Sequence, residues 1–228
     1  MNISSFSPSD FDGHTRLFPL PNLVMFPYAL QSLHIFEPRF VAMFEECLAS
    51  DRLFAIGLLD QGWEDDYQGR PTVCETVCLC QVVTHEQRPD QLYDTIVFGI
   101  SRARILRELK TNKPFREIEV ELLEDQISGP LPTRQTLEKQ LVALVDQLMP
   151  GNAAMIRQLQ EQSAPEATLS ILTDLLAYSL PLAPERKQEL LSETTVSVRA
   201  EQILDLVPKS EPLSAKPGHR FPPDFSAN

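Results

Sequence analysis

Five groups of residues in this chain have the types and spacings that chemistry asks for. Cys74, Cys78 and Cys80, with His85 close behind, offer the sulfur and nitrogen donors that zinc takes. Gly99–Ala103, GISRA, falls one residue short of the G-x-S-x-G elbow that presents a nucleophilic serine, here Ser101. His85-Glu86 begins like the metal-binding helix of a zinc protease. Gly57 and Gly62 have the spacing of the glycines in a phosphate-cradling loop. Trp63 and Tyr67 stand in the acidic loop GWEDDYQG, while Phe36, Glu37 and Arg39 share the run HIFEPRF. These last five supply aromatic, anionic and cationic contacts, which suit a partner rather than bond-making.

Bond-making readings fail on geometry. Val73, Val77 and Leu79 alternate with Cys74, Cys78 and Cys80, which predicts a strand covered on both faces. On a strand, Cys78 and Cys80 point the same way about 6.6 Å apart, and Cys74 lies about 13 Å from Cys78. Tetrahedral zinc, with Zn–S near ~2.3 Å, brings its sulfurs to about 4 Å. Only a sharp bulge would rescue that site, so the cysteines read as buried thiols in a reducing compartment. Ala103 replaces the last glycine of the serine elbow, and an arginine-flanked strand end fits better. Pro89 occupies the place of the second histidine after His85-Glu86, which marks a turn. Trp63-Glu64 follow Gly62 where a nucleotide loop needs Lys and Ser/Thr. The sequence therefore predicts no catalytic residues, no cofactor and no metal; a cryptic hydrolase is the weaker alternative.

The elements that must position the contact residues are compressed into Leu17–Leu48. Leu17–Leu20 and Leu23–Phe26 are short apolar extended runs ended by Pro21 and Pro27. Leu30–Phe36 reads as a strand, with Leu33 and Ile35 facing one way and Ser32 and His34 the other. Pro38 suits a first helical turn, and Phe40, Phe44, Cys47 and Leu48 recur at helical spacing. Further on, Ile118, Val120 and Leu122 alternate with Glu117, Glu119 and Glu121, predicting a half-buried strand whose acidic face discourages edge pairing. From Pro132 the period is helical: Leu137, Leu141, Leu144, Val145 and Leu148, then Met155, Ile156 and Leu159, then Leu169, Leu172, Leu175 and Leu176. Helices near Pro184–Leu191 and Val196–Val207 follow, and Pro208–Asn228, with five prolines, predicts an extended or disordered tail.

Composition narrows the partner. The 228 residues, 43% hydrophobic, suffice for a sizeable core. No apolar run approaches bilayer length, and MNISSFSPSDFDGH has neither the basic start nor the apolar centre of a signal peptide, so the cytoplasm is expected. A formal net charge of −12 argues against nucleic acid, whose phosphates need a concentrated positive surface.

LFPL, VMFP and HIFEPRF, with RLFAIGLL (Arg52–Leu59), TIVFGISRARI (Thr95–Ile105) and DLLAYSLPLAPERKQELL in that order, resemble the amino-terminal substrate-binding domain of the Lon protease family. The resemblance implies an α+β fold: a PUA-like antiparallel β-barrel lobe over 15–125 with a helix inserted at 38–50, then a helical lobe over 132–207. Residues 1–14 and 208–228 would flank it as a flexible amino terminus and a Pro-rich tail. TIVFGISRARI resembles the family's glycine-containing strand ending in an arginine-rich turn, and Arg88-Pro89-Asp90 its hairpin turn, with Gln91 where a glycine is usual. Cys78 and Cys80 depart from a glycine-bearing pattern. A chain this short has no room for the family's ATPase and protease domains, so a stand-alone binding domain is expected.

The function implied is recognition of unfolded polypeptide, or service as an adaptor to a separate ATP-dependent protease. A PUA-like module for RNA or a small molecule is the alternative. Trp63 and Tyr67 either tuck back on the barrel or anchor a partner. Glu37 either accepts backbone N–H groups at the helix start, with Arg39 paired to a carboxylate across the barrel, or joins Phe36 and Arg39 in a peptide-docking rim.

Overall fold

A computed structural model describes residues 6–67, 69–148 and 165–206. Two compact units divide between Leu123 and Glu124.

In the first unit the chain runs β1 (His14–Leu20), β2 (Leu30–Ile35), α1 (Pro38–Ala49), β3 (Leu53–Leu58), β4 (Thr76–Gln87), β5 (Tyr93–Leu109) and β6 (Arg116–Leu123). The sheet order is β2-β5-β4-β3-β1-β6, and β6 also pairs with β5, which closes a barrel. One strand makes this possible. The first half of β5 pairs with β2 (Tyr93↔Ile35 to Phe98↔Leu30), and its second half pairs with β6 (Arg102↔Leu123 to Leu109↔Glu117).

The barrel expected from the resemblance is present, with one pair differing: β1 and β3 run parallel (Arg16↔Phe54 to Leu20↔Leu58), and the others are antiparallel. A parallel pair needs a long crossover, and β2 with α1 supplies it. Pro19 sits inside β1 rather than at a strand end. β6 accompanies β1 only from His14 to Leu17, so Pro19 lies where one flank has no ladder to feed.

Both faces of the sheet are covered, as the alternation of valines and cysteines predicted. Inside the barrel, Leu17, Ala55, Val77, Ala103, Ile118 and Val120 form a core against which Phe11, from the segment preceding β1, is packed. On the other face, Phe18 and Phe54 meet Phe40 and Phe44 of α1, with Phe18–Phe40 centroids 4.6 Å apart and Phe44–Phe54 6.5 Å. Each such ring buried contributes about 1.5–3 kcal/mol. The cysteines fill this packing. Cys78 and Cys80 are buried, each thiol donating to a neighbouring carbonyl, and burial pushes the Cys80 thiol up. Cys47 is likewise buried in α1, its thiol pushed up to about 12 by burial.

Gly99 lies in the middle of β5 against the chain that leads into β2. A Cβ there would stand 2.0 Å from the Phe26 carbonyl oxygen and 3.2 Å from Cys78 Sγ. The approach is locked by Tyr28 N–H donating to the Gly99 carbonyl (2.8 Å) and Gly99 N–H donating to the Ala29 carbonyl (2.9 Å). Tyr28, in the turn before β2, takes φ +64°, a conformation few side chains adopt.

Several local expectations are corrected. Leu23–Phe26 forms no strand, although Val24, Met25 and Phe26 are buried. Ser32 is buried along with Leu33 and Ile35, so β2 is covered on both of its faces there. His85 and Glu86 belong to β4; the turn is Arg88–Leu92, where Gln91 holds φ +65°, the conformation for which glycine is usual. Ser101, expected at a strand end, is mid-strand in β5, its hydroxyl donating to the Arg102 carbonyl. The arginine-rich turn expected at the end of TIVFGISRARI is strand instead, because Arg102, Arg104 and Arg107 are all in β5. β6 is not an edge either: its Glu121 and Glu119 receive Arg104 and Arg107 from β5 across the seam that closes the barrel.

The second unit holds α2 (Leu131–Leu148), α3 (Pro165–Ser179), α4 (Pro184–Ser192) and α5 (Val196–Leu206). Leu137, Leu141, Leu144 and Val145 of α2 are buried, as are Leu169, Leu172 and Leu176 of α3, so these stripes face a core as their spacing predicts. Arg199 of α5 is fully buried at its centre. Its guanidinium donates to both Asp125 carboxylate oxygens (3.1 and 2.8 Å), to Thr173 Oγ1 (3.0 Å) and to the Glu193 carbonyl (2.6 Å), and pairs with Asp174 (3.2 Å). Ser170 also donates to Asp125. The helix expected around Met155, Ile156 and Leu159, the amino-terminal five residues and the Pro208–Asn228 tail lie outside the described residues. None of the described helices is long and apolar enough to cross a membrane.

Candidate functional site

β2 hands over to α1 at Phe36-Glu37-Pro38, and this junction gathers most of the residues singled out from the sequence. Pro38 presets the first helical turn, and the Glu37 carbonyl accepts from Phe40 and Val41 N–H (both 2.9 Å). The Glu37 side chain does not cap the helix as expected. It is drawn instead to two partners. Arg39 donates to it through Nε and Nη2 (3.1 and 3.0 Å), and the Tyr67 hydroxyl donates to its other oxygen. Arg39 therefore pairs with a carboxylate two residues away, not across the barrel.

Tyr67 arrives from the long β3–β4 connection. Gly62 turns the chain at φ +85°, Trp63–Asp66 make a single 3-10 turn, and Tyr67 follows. Its ring lies under the Arg39 guanidinium at 4.8 Å, while the Phe40 ring lies 4.6 Å from the same cation. Arg39 Nη1 also donates to the Tyr67 carbonyl (3.1 Å). A planar cation between two rings is held by the ring quadrupoles as well as by its hydrogen bonds. Trp63 completes the group, its ring meeting Tyr67 edge-on at 5.4 Å.

Glu37, Arg39, Tyr67 and Trp63 thus form one cluster, although about 30 residues separate the two segments that supply it. Phe36, next to Glu37 in the chain, makes its ring contact with His34, stacking at 5.8 Å and 23°. His34 in turn contacts Asp94 (2.7 Å), which also pairs with Arg88 (3.0 Å). Burial alone would raise the Asp94 carboxyl, but the bonds from His34 and Arg88 outweigh it and hold the group below the usual carboxylate range. Cation and histidine alike were missed by sequence reading, because the register that sets His34 opposite Asp94 is long-range.

The cluster has a titration signature. Burial, then the Glu37 hydrogen bond and charge, raise the Tyr67 phenol above its ordinary 10, with Arg39 opposing. A raised folded-state value means the contact stabilises fully below the unfolded value near ~10 and is lost as pH rises through the folded one. Trp63 emission is therefore expected to change above about pH 10. Tyr67→Phe should remove that transition and leave the neutral-pH spectrum close to wild type. A Tyr67→Phe spectrum still changing in the same window would show that the phenol is not its origin.

Among the described residues no group of His, Cys, Asp and Glu is arranged to hold a metal. What the geometry presents is a folded-down aromatic loop on a strand-to-helix junction, on a closed barrel next in sequence to a helical unit. That defines a mixed α+β class of binding domain. The chain belongs to the ATP-dependent protease La (LON) substrate-binding domain family, whose model matches residues 14–209.

Curated relatives agree. The chain is 24% identical over 194 residues to Lon protease 2 of Myxococcus xanthus and 26% identical over 196 residues to Lon protease of Azospirillum brasilense. The matches cover 84% and 81% of this chain but only 23% and 22% of those proteases, so it spans about a quarter of their length. Two solved structures share the fold. A Lon N-terminal domain protein from Xanthomonas campestris is 21% identical, with TM-score 0.59, covering 86% of this chain and 99% of that one. The N-terminal domain of a Mycobacterium avium complex Lon protease is 14% identical, with TM-score 0.63, covering 84% and 96%.

Proposed function

We propose that this chain binds unfolded polypeptide at the rim made by Trp63 and Tyr67 with Glu37, Arg39 and the neighbouring Phe36. One observation carries the reading: a loop rich in acid and aromatic residues is fastened to the strand-to-helix junction through Tyr67. Trp63 is thereby left half-buried at the surface of the cluster, on a support that Arg39 keeps rigid. Preorganised aromatics of this kind supply contact area at low entropic cost. The acidic loop favours basic segments and disfavours nucleic acid, in keeping with the overall charge. In a family of protease substrate-binding domains, the partner downstream is an ATP-dependent protease, to which this domain delivers bound clients. The chain does no chemistry in that role.

Trp63 is the chain's one tryptophan, so its fluorescence reports directly on the loop when the ligand lacks tryptophan. Saturable change with an unfolded polypeptide, and none with the same polypeptide folded, is the expected result. Arg39→Met should weaken that binding about tenfold, equivalent to about 1.4 kcal/mol. A labelled unfolded polypeptide whose anisotropy never changes would overturn the reading.

A further inference from the structure

Arg52 differs from seven other arginines of the barrel unit. Arg16, Arg39, Arg70, Arg88, Arg104, Arg107 and Arg116 each pair with a carboxylate. Arg52 pairs with none among the described residues, in a chain whose net charge is −12. Its side chain goes instead to the Val82 carbonyl (Nε, 3.3 Å) and to His85 Nδ1 (Nη2, 3.5 Å).

Three features build this corner. Arg52 holds φ +62°, fixed by its N–H donating to the Cys47 carbonyl (3.0 Å) and its carbonyl accepting from Val82 N–H (3.0 Å). Strain of this kind at a non-glycine residue costs about 1–3 kcal/mol and persists where the surroundings impose it. β4 carries a bulge between Val82 and Thr84, which re-aims the strand just before His85. The rings of Phe44 (6.1 Å, edge-on) and Tyr93 (6.3 Å, tilted) flank the imidazole.

Because a guanidinium only donates, His85 Nδ1 must be the acceptor, and the ring proton sits on Nε2. Nη1 of Arg52 and Nε2 of His85 are then N–H donors with no protein acceptor among the described residues. The geometry points to a binding site for a compact oxyanion, a phosphate or carboxylate, held between Arg52 and His85. An anion between them would accept from both and remove the repulsion between guanidinium and imidazolium. Burial and Arg52 now lower the His85 imidazole from its ordinary value, so occupancy must raise it. The other charged groups around it are already engaged: Glu45 of α1 accepts from the Tyr93 hydroxyl (3.3 Å) and Asp51 pairs with Arg16 (2.7 Å). Glu86, next along β4, is exposed.

The test follows the imidazole resonances of the intact chain by NMR through pH titrations at constant ionic strength. The anions compared are chloride, inorganic phosphate, acetate and a short acidic peptide. Phosphate or a carboxylate should raise the His85 midpoint by about half a unit or more, while His14 and His34 stay within experimental error. Response to phosphate and not to the carboxylates would assign a free phosphate; response to acetate and the peptide would assign a carboxylate ligand. Arg52→Lys, which keeps the charge, should weaken the response, and His85→Gln should leave the phosphate-induced shifts of neighbouring amides reduced. A His85 midpoint indifferent to every anion, or one moving equally with His14 and His34, overturns the site. The outcome is independent of whether Trp63 responds to polypeptide.

Discussion

Gly99→Ala is expected to destabilise the barrel by about 3–5 kcal/mol, summing overpacking against backbone and the loss of two hydrogen bonds. The added methyl would stand 2.0 Å from the Phe26 carbonyl oxygen, and no rotamer change can relieve a clash between Cβ and main chain. Relief requires β5 and the Phe26–Ala29 segment to part, which breaks both bonds between Gly99 and Tyr28-Ala29. Gly62→Ala is the contrast. That glycine has φ +85° but nothing within 4 Å, so only conformational strain of about 1–2 kcal/mol is expected. Urea unfolding of the two variants reads the difference. Equal losses would mean that the β5 approach relaxes, against the account given for it.

Arg199→Met should cost the helical unit about 3–5 kcal/mol, the loss typical when one partner of a buried ion cluster is removed. The substitution takes the cation away from Asp125 and fully buried Asp174, and it removes the donor to Thr173 Oγ1 and the Glu193 carbonyl as well. Arg199→Lys is expected to recover less than half of the loss. One ammonium cannot span two carboxylates and a carbonyl that the planar fork reaches together. Adding Asp125→Asn and Asp174→Asn to Arg199→Met should restore part of the stability by removing the negative charge that the guanidinium had balanced. Thermal unfolding followed by far-ultraviolet circular dichroism measures each step. A triple variant no more stable than Arg199→Met alone would show that packing, not charge, sets the cost.

What could be read in the sequence was what depends on near neighbours. The strand at Leu30, the helix opening on Pro38 and the leucine stripes of α2 and α3 all follow from spacing within a dozen residues. Trp63, Tyr67, Glu37 and Arg39 could be named from residue type, but not joined. Nothing local says that Tyr67 folds back onto Glu37, or that Arg39 prefers that carboxylate to a distant one. β6 was read as the half-buried strand it is, but not as the seam of the barrel, for the same reason. Its glutamates read as a solvated edge until the arginines of β5 are seen opposite them, and that pairing depends on where the barrel closes. Arg199 sat unremarked in a helical pattern, because a charged residue on a helix reads as surface. Its partner Asp125 lies 74 positions away, just past the last strand. Arg52 and His85 were each visible, yet the bulge that brings them together is a property of register alone.

Closure through β6 also has a consequence in time. His14 and Glu119 are register partners more than a hundred residues apart, while every other pair of strands in the barrel joins elements that emerge closer together. On a ribosome, β1 must wait until Arg116–Leu123 has been synthesised before its second flank is filled. Until then the growing chain exposes an unpaired strand edge, the kind of surface that chaperones cover and that aggregation exploits. Loop-closure entropy makes such a distant rung slow to form. A protease substrate-binding domain thus passes, during its own biogenesis, through a state with one strand edge still open.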